Sequence, residues 1–430
     1  MSARLVTASL LAALLVALLA AACGSDEEGA ARELQWYINP DDGGQAEIAR
    51  RCTEKAAGRY RIKTALLPRS ASDQREQLLR RLAAEDSSID LMSLDVVFVP
   101  EFAEAGFLAP IPEGVASELT DGVVEPAVRA ATWHGRLVAV PMWANTQLLW
   151  YRKSVVRRAG IDLSKPLTWD RIIDAARATD TTVAVQAQRY EGYTVLVNAL
   201  IESAGGHIIE NPGANADELA LGIDSPAGKA AAAVLSELGS GGVGGPSIST
   251  ADEEAARTLF QGPSGGFMVN WPYVWRAANA AAEDGSLSAE VLADIGFTRY
   301  PRVRQDTASR PPLGGIDIGI GARSRHPDLA LEAARCITSL ENQTAYFLRE
   351  GNPAARAEVF SAPSVVEAFP MAALLRASLE GAAPRPQTDV YGDLSAGVQR
   401  TFHPPDAAGP ETPREATTFI SEVLRGERLL

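Results

Sequence analysis

The chain has 430 residues, 46% of them hydrophobic, and a formal net charge of −14 from 54 acidic against 40 basic side chains. That balance, without any long basic run, excludes nucleic acid or an anionic membrane surface as a partner, since both need a basic footprint. The apolar content excludes a disordered chain, and the length suffices for two lobes with a core each.

Arg4 precedes an apolar run from Leu5 to Ala22, and the run stops at Cys23 within Leu19-Ala-Ala-Ala-Cys23-Gly-Ser25. A basic start, an apolar core and small residues before a cysteine predict an export signal over 1–22, lipidation of Cys23 and a polar tether over 23–33. A plain signal with an incidental cysteine, or a membrane helix, is the alternative. Ala20 stands where such signals usually carry Leu. No later apolar stretch approaches the roughly 20 residues of a spanning helix.

Leu34–Ile38 reads as a strand, closed by the turn Asn39-Pro-Asp-Asp-Gly-Gly44, with a helix from about Gln45. A second strand covers 59–67. Ser72 and Asp73 with Glu76 signal a capped helix whose Leu78, Leu79, Leu82 and Ala83 share a face. A third strand is predicted over 89–94 and a short helix over 102–107. This alternation predicts the α/β class, with mainly parallel sheets covered by helices. Segments 137–141 and 145–151 lead to a helix capped by Thr168, with Asp170 at its positive end. Apolar helices follow over 193–203 and 226–238, and buried strands over 267–271 and 314–321. A helix runs from Pro327 to Ser339, its proline placed where a missing N–H costs nothing. Residues 384–391 read as a crossing segment before a last helix near 414–424.

Signatures of catalysis are poor. Gly239-Ser-Gly-Gly-Val-Gly244 has dinucleotide-loop spacing, yet it follows a helix and opens none. Gly262-Pro-Ser264-Gly-Gly266 leads into a strand, so Ser264 lacks a nucleophile elbow. The four histidines are scattered and none stands near a cysteine at ligand spacing, so no metal and no cofactor is expected. An exported glycoside hydrolase needs two facing carboxylates and stays open, because acids are plentiful. Cys52 and Cys336, in an exported domain, are expected to form a disulfide; two buried free thiols are the alternative.

Polar groups and aromatics at strand ends stand out: Asp42, Asp95, Asn145 and Trp271, with Glu191 and Tyr193 before an apolar helix and Arg385 between two prolines. Sugars are held by aromatic faces against C–H-rich rings and by acids, amides and guanidinium on hydroxyl pairs. Taken singly, each also fits a turn, cap or core role.

Together the segments Gly135 to Lys153, Ala159 to Asp162, Leu167 to Asp170, Gly314 to Gly321 and His326 to Gln343 resemble the solute-binding proteins of bacterial sugar ABC importers. The likeness is to the maltodextrin and trehalose group and runs from about residue 34 to 430. Tyr190-Glu-Gly192 and Arg385 to Tyr391 are similar to its trehalose-binding branch. The resemblance implies a two-lobe fold with three crossovers, 34–144 and 272–322 forming lobe one, 145–271 and 323–430 lobe two. It implies no catalytic step. A disaccharide, trehalose first and another α-glucoside or maltodextrin as alternative, closes between the lobes and passes to permease subunits with their ATPase. The receptor is expected to be a monomer, held to the membrane through Cys23. Carried over by motif, the sugar contacts fall on Asp42, Asp95, Asn145, Trp271, Gly315 and Arg385, with looser transfers to Glu191, Tyr273 and Arg69.

Overall fold

In the computed structural model, which describes residues 31–430, the chain opens with β1 (Arg32–Ile38), α1 (Gly44–Lys55), β2 (Tyr60–Leu66), α2 (Ala71–Ala83) and β3 (Leu91–Asp95). The signal, Cys23 and most of the tether lie outside the described residues. β1 runs parallel to both β2 and β3. The cap of α2 is Ser70, whose hydroxyl accepts from the Asp73 N–H at 3.4 Å, so the helix starts ahead of the expected Ser72. A 3₁₀ turn at Val96–Phe98 and α3 (Val99–Glu104) follow, earlier than the expected 102–107. Asp95 sets that start by accepting from the Val97 N–H at 3.3 Å, and Pro100 fits the first turn.

Next come α4 (Glu113–Thr120), α5 (Glu125–Ala130), the hairpin β4 (Thr132–Trp133) and β5 (Arg136–Leu137), and β6 (Val140–Thr146). Only Gln147 separates β6 from β7 (Leu148–Arg152), which belongs to a second sheet. That lobe continues with α6 (Lys153–Arg158), α7 (Trp169–Thr179), β8 (Thr182–Ala184), α8 (Glu191–Ser203), α9 (Pro226–Gly239) and α10 (Glu253–Gln261). β9 (Gly265–Asn270), α11 (Tyr273–Glu283), α12 (Ala289–Asp294) and β10 (Ile295–Thr298) complete it, in the strand order β10-β7-β9-β8. β11 (Pro312–Ile320) returns to the first sheet, followed by α13 (Pro327–Ile337), α14 (Leu340–Glu350), α15 (Pro363–Ala368), α16 (Ala372–Glu380) and β12 (Ala383–Pro384). The first sheet has the order β12-β11-β3-β1-β2, with β6 also paired to β11. α17 (Tyr391–Phe402) and α18 (Thr412–Leu424) then pack on the helices of the second lobe.

The class is the expected α/β fold, and its sheets are mixed. β11 is antiparallel to β3 and β6, and β7 is antiparallel to β9 and β10. These strands arrive from the other lobe rather than over a helix in their own, so nothing imposes a parallel direction. The chain crosses between sheets at Gln147, between Thr298 and Pro312, and after Pro384.

Those crossings differ from the expected boundaries. Residues 272–298, expected in lobe one, end in β10, which forms the edge of the second sheet. α13 and α14, expected in lobe two, cover the first sheet: Ala330, Ala333, Ile337 and Tyr346 share a core with Trp36, Ile48 and Cys52. A disulfide between Cys52 and Cys336, whose Cα atoms lie 5.8 Å apart, ties α1 to α13.

Candidate functional site

A cavity of about 650 Å³ opens between the two sheets, walled by the ends of β3 and β6, the Gly-Gly bend of β11, the starts of α8, α10 and α11, and the segment after β12. It therefore lies where loops from both lobes converge, at a volume ordinary for a small-ligand site. Asp95, Asn145, Glu191, Trp271, Tyr273, Gly315 and Arg385 all line it.

Its base is an ionic group. Arg385, only 3% exposed, donates through Nη1 to Glu191 Oε1 at 2.7 Å and through Nη2 to Asp95 Oδ1 at 2.5 Å. Glu191 also accepts from the Tyr391 hydroxyl and, at 2.7 Å, from the Ser395 hydroxyl, both on α17. Each oxygen of this buried carboxylate therefore has a donor, which offsets the cost of its desolvation. On the neighbouring strand Asp317 is fully buried, and neither of its oxygens has a partner among the described residues. Burial, and secondarily the charge of Asp95, push the Asp317 carboxyl well above its usual range.

The walls combine rings with amides. Gly315 has φ +140°, and a Cβ there would meet the Trp143 carbonyl oxygen at 2.3 Å; a Cβ on Gly314 would meet the Trp271 ring at 2.9 Å. The glycine pair thus lets two tryptophan-bearing segments close onto β11, which no side chain at 315 would permit. Trp143 is itself stacked on Tyr346 at 4.8 Å between centroids. Asn145 directs Nδ2 to Asn352 Oδ1 at 3.4 Å. On the second lobe Tyr190, Asp252 and Glu253 reach the cavity. Burial, with Asp252 and Glu254 beside it, pushes the Glu253 carboxyl up, toward a form able to donate as well as accept.

Two expected residues lie elsewhere. Asp42 is exposed, because the turn is pinned from outside: Glu350 accepts from the N–H groups of Asp42 at 3.0 Å and Gly44 at 2.8 Å. Asp41 accepts from the N–H groups of Gly43 and Gln45, and Asn39, bonded to Gln74 Oε1 at 2.7 Å, is the turn residue that lines the cavity. Tyr193 faces the core behind α8, donating to the Phe402 carbonyl at 2.7 Å beside the edge-on His403 ring. Arg69 also lines the cavity, as do Asn39, Gln74, Trp143, Gln188, Glu253 and Asn352, which the sequence reading did not single out. Asn352 carried no local signal, and Trp143 lay unremarked inside the Gly135 to Lys153 segment; Glu253 follows Asp252, whose side chain caps α10, so its local pattern marks no more than a helix start.

A second, mainly apolar cavity of about 370 Å³ lies across the third crossover, with Pro126, Val128, Trp133, Pro212 and Pro384 in its walls. Its few hydrogen-bonding groups suit a polyhydroxylated ligand poorly. Among the described residues no group of three His, Cys, Asp or Glu could hold a metal ion.

Comparison with known proteins agrees with this architecture. A probable ABC transporter-binding protein of Deinococcus radiodurans is 24% identical over 369 residues, which cover 81% of this chain and 83% of that protein. The maltose-bound MalE3 of T. maritima is 26% identical with a TM-score of 0.77, covering 93% of this chain and all of the other. The GacH receptor of Streptomyces glaucescens, known unliganded and in complex with acarbose, shares the fold at 18% identity and a TM-score of 0.75 over 92% of this chain and 98% of its own. Residues 62–344 match the bacterial extracellular solute-binding proteins. With a walled cleft between two such lobes, the chain belongs to that family, as a binding protein and not an enzyme.

Proposed function

We propose that this protein is the substrate-binding subunit of an ABC sugar importer and takes an α-glucoside or maltodextrin-type sugar between its lobes. The observation that carries the reading is the cleft, where tryptophan and tyrosine rings, amides, carboxylates and a guanidinium from both lobes share one cavity. The similarity to a maltose-bound relative supports the sugar class. Within that class a disaccharide is the ligand, and trehalose is the finer reading, supported by the segments around Glu191 and Arg385. Asp95, Asn145, Trp271, Tyr273 and Gly315 contact the sugar, joined by Glu253 and Asn39. The 34–146 and 312–384 segments form one lobe and the remainder the other, closing about the three crossings as a monomer. A lipid on Cys23 holds the receptor outside the membrane, beside permease subunits that its closed form engages.

Calorimetry with maltose, maltotriose, trehalose and sucrose tests this. At least one should bind, and Trp271→Ala should weaken that sugar ten- to a hundredfold, about 1.5–3 kcal/mol, with little change in the sugar-free melting temperature. Binding of none, or turnover of a chromogenic α-glucoside, would overturn the reading; preference for maltotriose over trehalose would remove the finer one.

A further inference from the structure

We propose that Glu191 is a positioning residue of the sugar site: it touches no sugar itself, and by holding the Arg385 guanidinium it sets how strongly Asp95 reads one hydroxyl of the ligand. This rests on the sugar-binding reading above. Glu191 lines the cleft, where an acid would ordinarily be a sugar contact, yet the fold spends its oxygens elsewhere. Oε1 accepts from Arg385 Nη1 at 2.7 Å and from the Tyr391 hydroxyl, which takes up both of its lone pairs. Oε2 accepts from the Ser395 hydroxyl at 2.7 Å. That hydroxyl also meets the Thr194 hydroxyl at 2.7 Å and Gln399 Nε2 at 2.9 Å, between α8 and α17, and none of these three residues lines the cleft. Glu191 is therefore turned into the protein on both sides.

The chain of contacts ends on Asp95. Arg385 Nη2 donates to Asp95 Oδ1, which also accepts from the Val97 N–H at 3.3 Å. Both donors meet the same oxygen, so Oδ2 is the one left to the cleft that Asp95 lines. One guanidinium is thus divided between two carboxylates, and the group of three keeps a net negative charge. The Asp95 side chain is 18% exposed against 8% for Glu191, so that charge meets the ligand at Asp95, as a strong acceptor for a hydroxyl. Arg385 gives one N–H to each carboxylate and keeps others, so a sugar binds without displacing Asp95. Pro384 and Pro386 restrict the backbone around the arginine, and Glu191 does the same for its side chain. Without the Glu191 charge, Arg385 and Asp95 form a neutral pair. Asp95 is then a weaker acceptor, and the angle of the guanidinium fork is no longer fixed from behind.

Calorimetry on the full mature protein tests this, with trehalose, maltose and the singly deoxygenated forms of each. Glu191→Gln keeps the shape and an oxygen for Arg385 while removing the charge. It should weaken the parent sugar on the order of tenfold, the scale of one charge-assisted hydrogen bond. In wild type one deoxygenation should cost more than the others, and that penalty should shrink in Glu191→Gln as it does in Asp95→Asn. Glu191→Gln added to Asp95→Asn should then weaken binding by no more than about twofold, because both act on the same contact. A merely structural Glu191 would instead weaken the parent and every deoxygenated sugar alike, and add its full effect to that of Asp95→Asn. Unchanged affinity in Glu191→Gln, or full additivity, overturns the positioning role and leaves the sugar reading standing; binding of neither disaccharide by wild type fails the disaccharide reading instead. A second measurement needs no sugar. In NMR spectra of protein with isotope-labelled arginine, the two Nη signals of Arg385, assigned by their loss in Arg385→Lys, should be separate in wild type and merge in Glu191→Gln. Separate signals in both proteins overturn the role whichever sugar binds.

Discussion

Asp317 shows how a single side chain can set a pH profile. Its carboxyl is raised in the fold by burial, so the folded state holds the proton more tightly than the unfolded chain. The stabilising effect is fully present below the ordinary carboxylate range, near pH 4, and is lost as pH rises toward the raised folded value. Asp317→Asn keeps the shape without the charge. The melting temperature of wild type is therefore expected to fall between weakly acid and alkaline pH, and that of the variant to fall less; parallel profiles would rule the effect out. The same strand position illustrates what sequence hides. In Gly314-Gly-Ile-Asp-Ile-Gly-Ile-Gly321 an apolar run betrays a buried strand, but nothing local says that its one acid lacks a partner. Asp95, Asn145 and Trp271 were legible as residues at or beside strand ends, and all three line the cleft. Asp42 and Tyr193 were misplaced for want of tertiary information: only the pairing with Glu350 turns the first outward, and only the seating of α17 buries the second.

Among the helices, those with an N-cap residue before an apolar face were readable from local chemistry. The α7 cap is as expected, the Thr168 hydroxyl accepting from the Arg171 N–H at 3.3 Å. Thr168→Ala should cost about 1 kcal/mol, measurable as a lower urea midpoint at unchanged slope, and Thr168→Ser should recover most of it. Strand direction was not readable. Periodicity marks β7 and β11 as strands, but their neighbours are fixed by which lobe the chain has come from. β10 spans four residues, too short to carry a pattern, and its pairing with β7 is what moves the crossing from 271 to beyond 298. The helices α13 and α14 were legible as helices, yet their choice of lobe depends on contacts with α1 nearly 300 residues away in the chain, a distance of the kind the disulfide separation of 284 records.

The whole molecule is built so that lobe one comes from two distant stretches of chain, and the 52–336 disulfide joins them. In the loop-entropy account a closure of that length contributes about 5.5 kcal/mol, measured values often being lower. Cys52→Ser with Cys336→Ser should accordingly lower the melting temperature, and reductant should do the same to wild type alone. The bond also makes the protein a ring with two tails. Residues 53–335, including the whole second sheet and the first two crossings, lie inside the ring, while the third crossing with Arg385 and the last two helices hangs outside it. A protease that cuts once in the long connection between α8 and α9 therefore opens the ring without freeing a fragment. On a gel the nicked receptor runs as one species until thiol is added, when it divides into an amino-terminal and a carboxy-terminal piece.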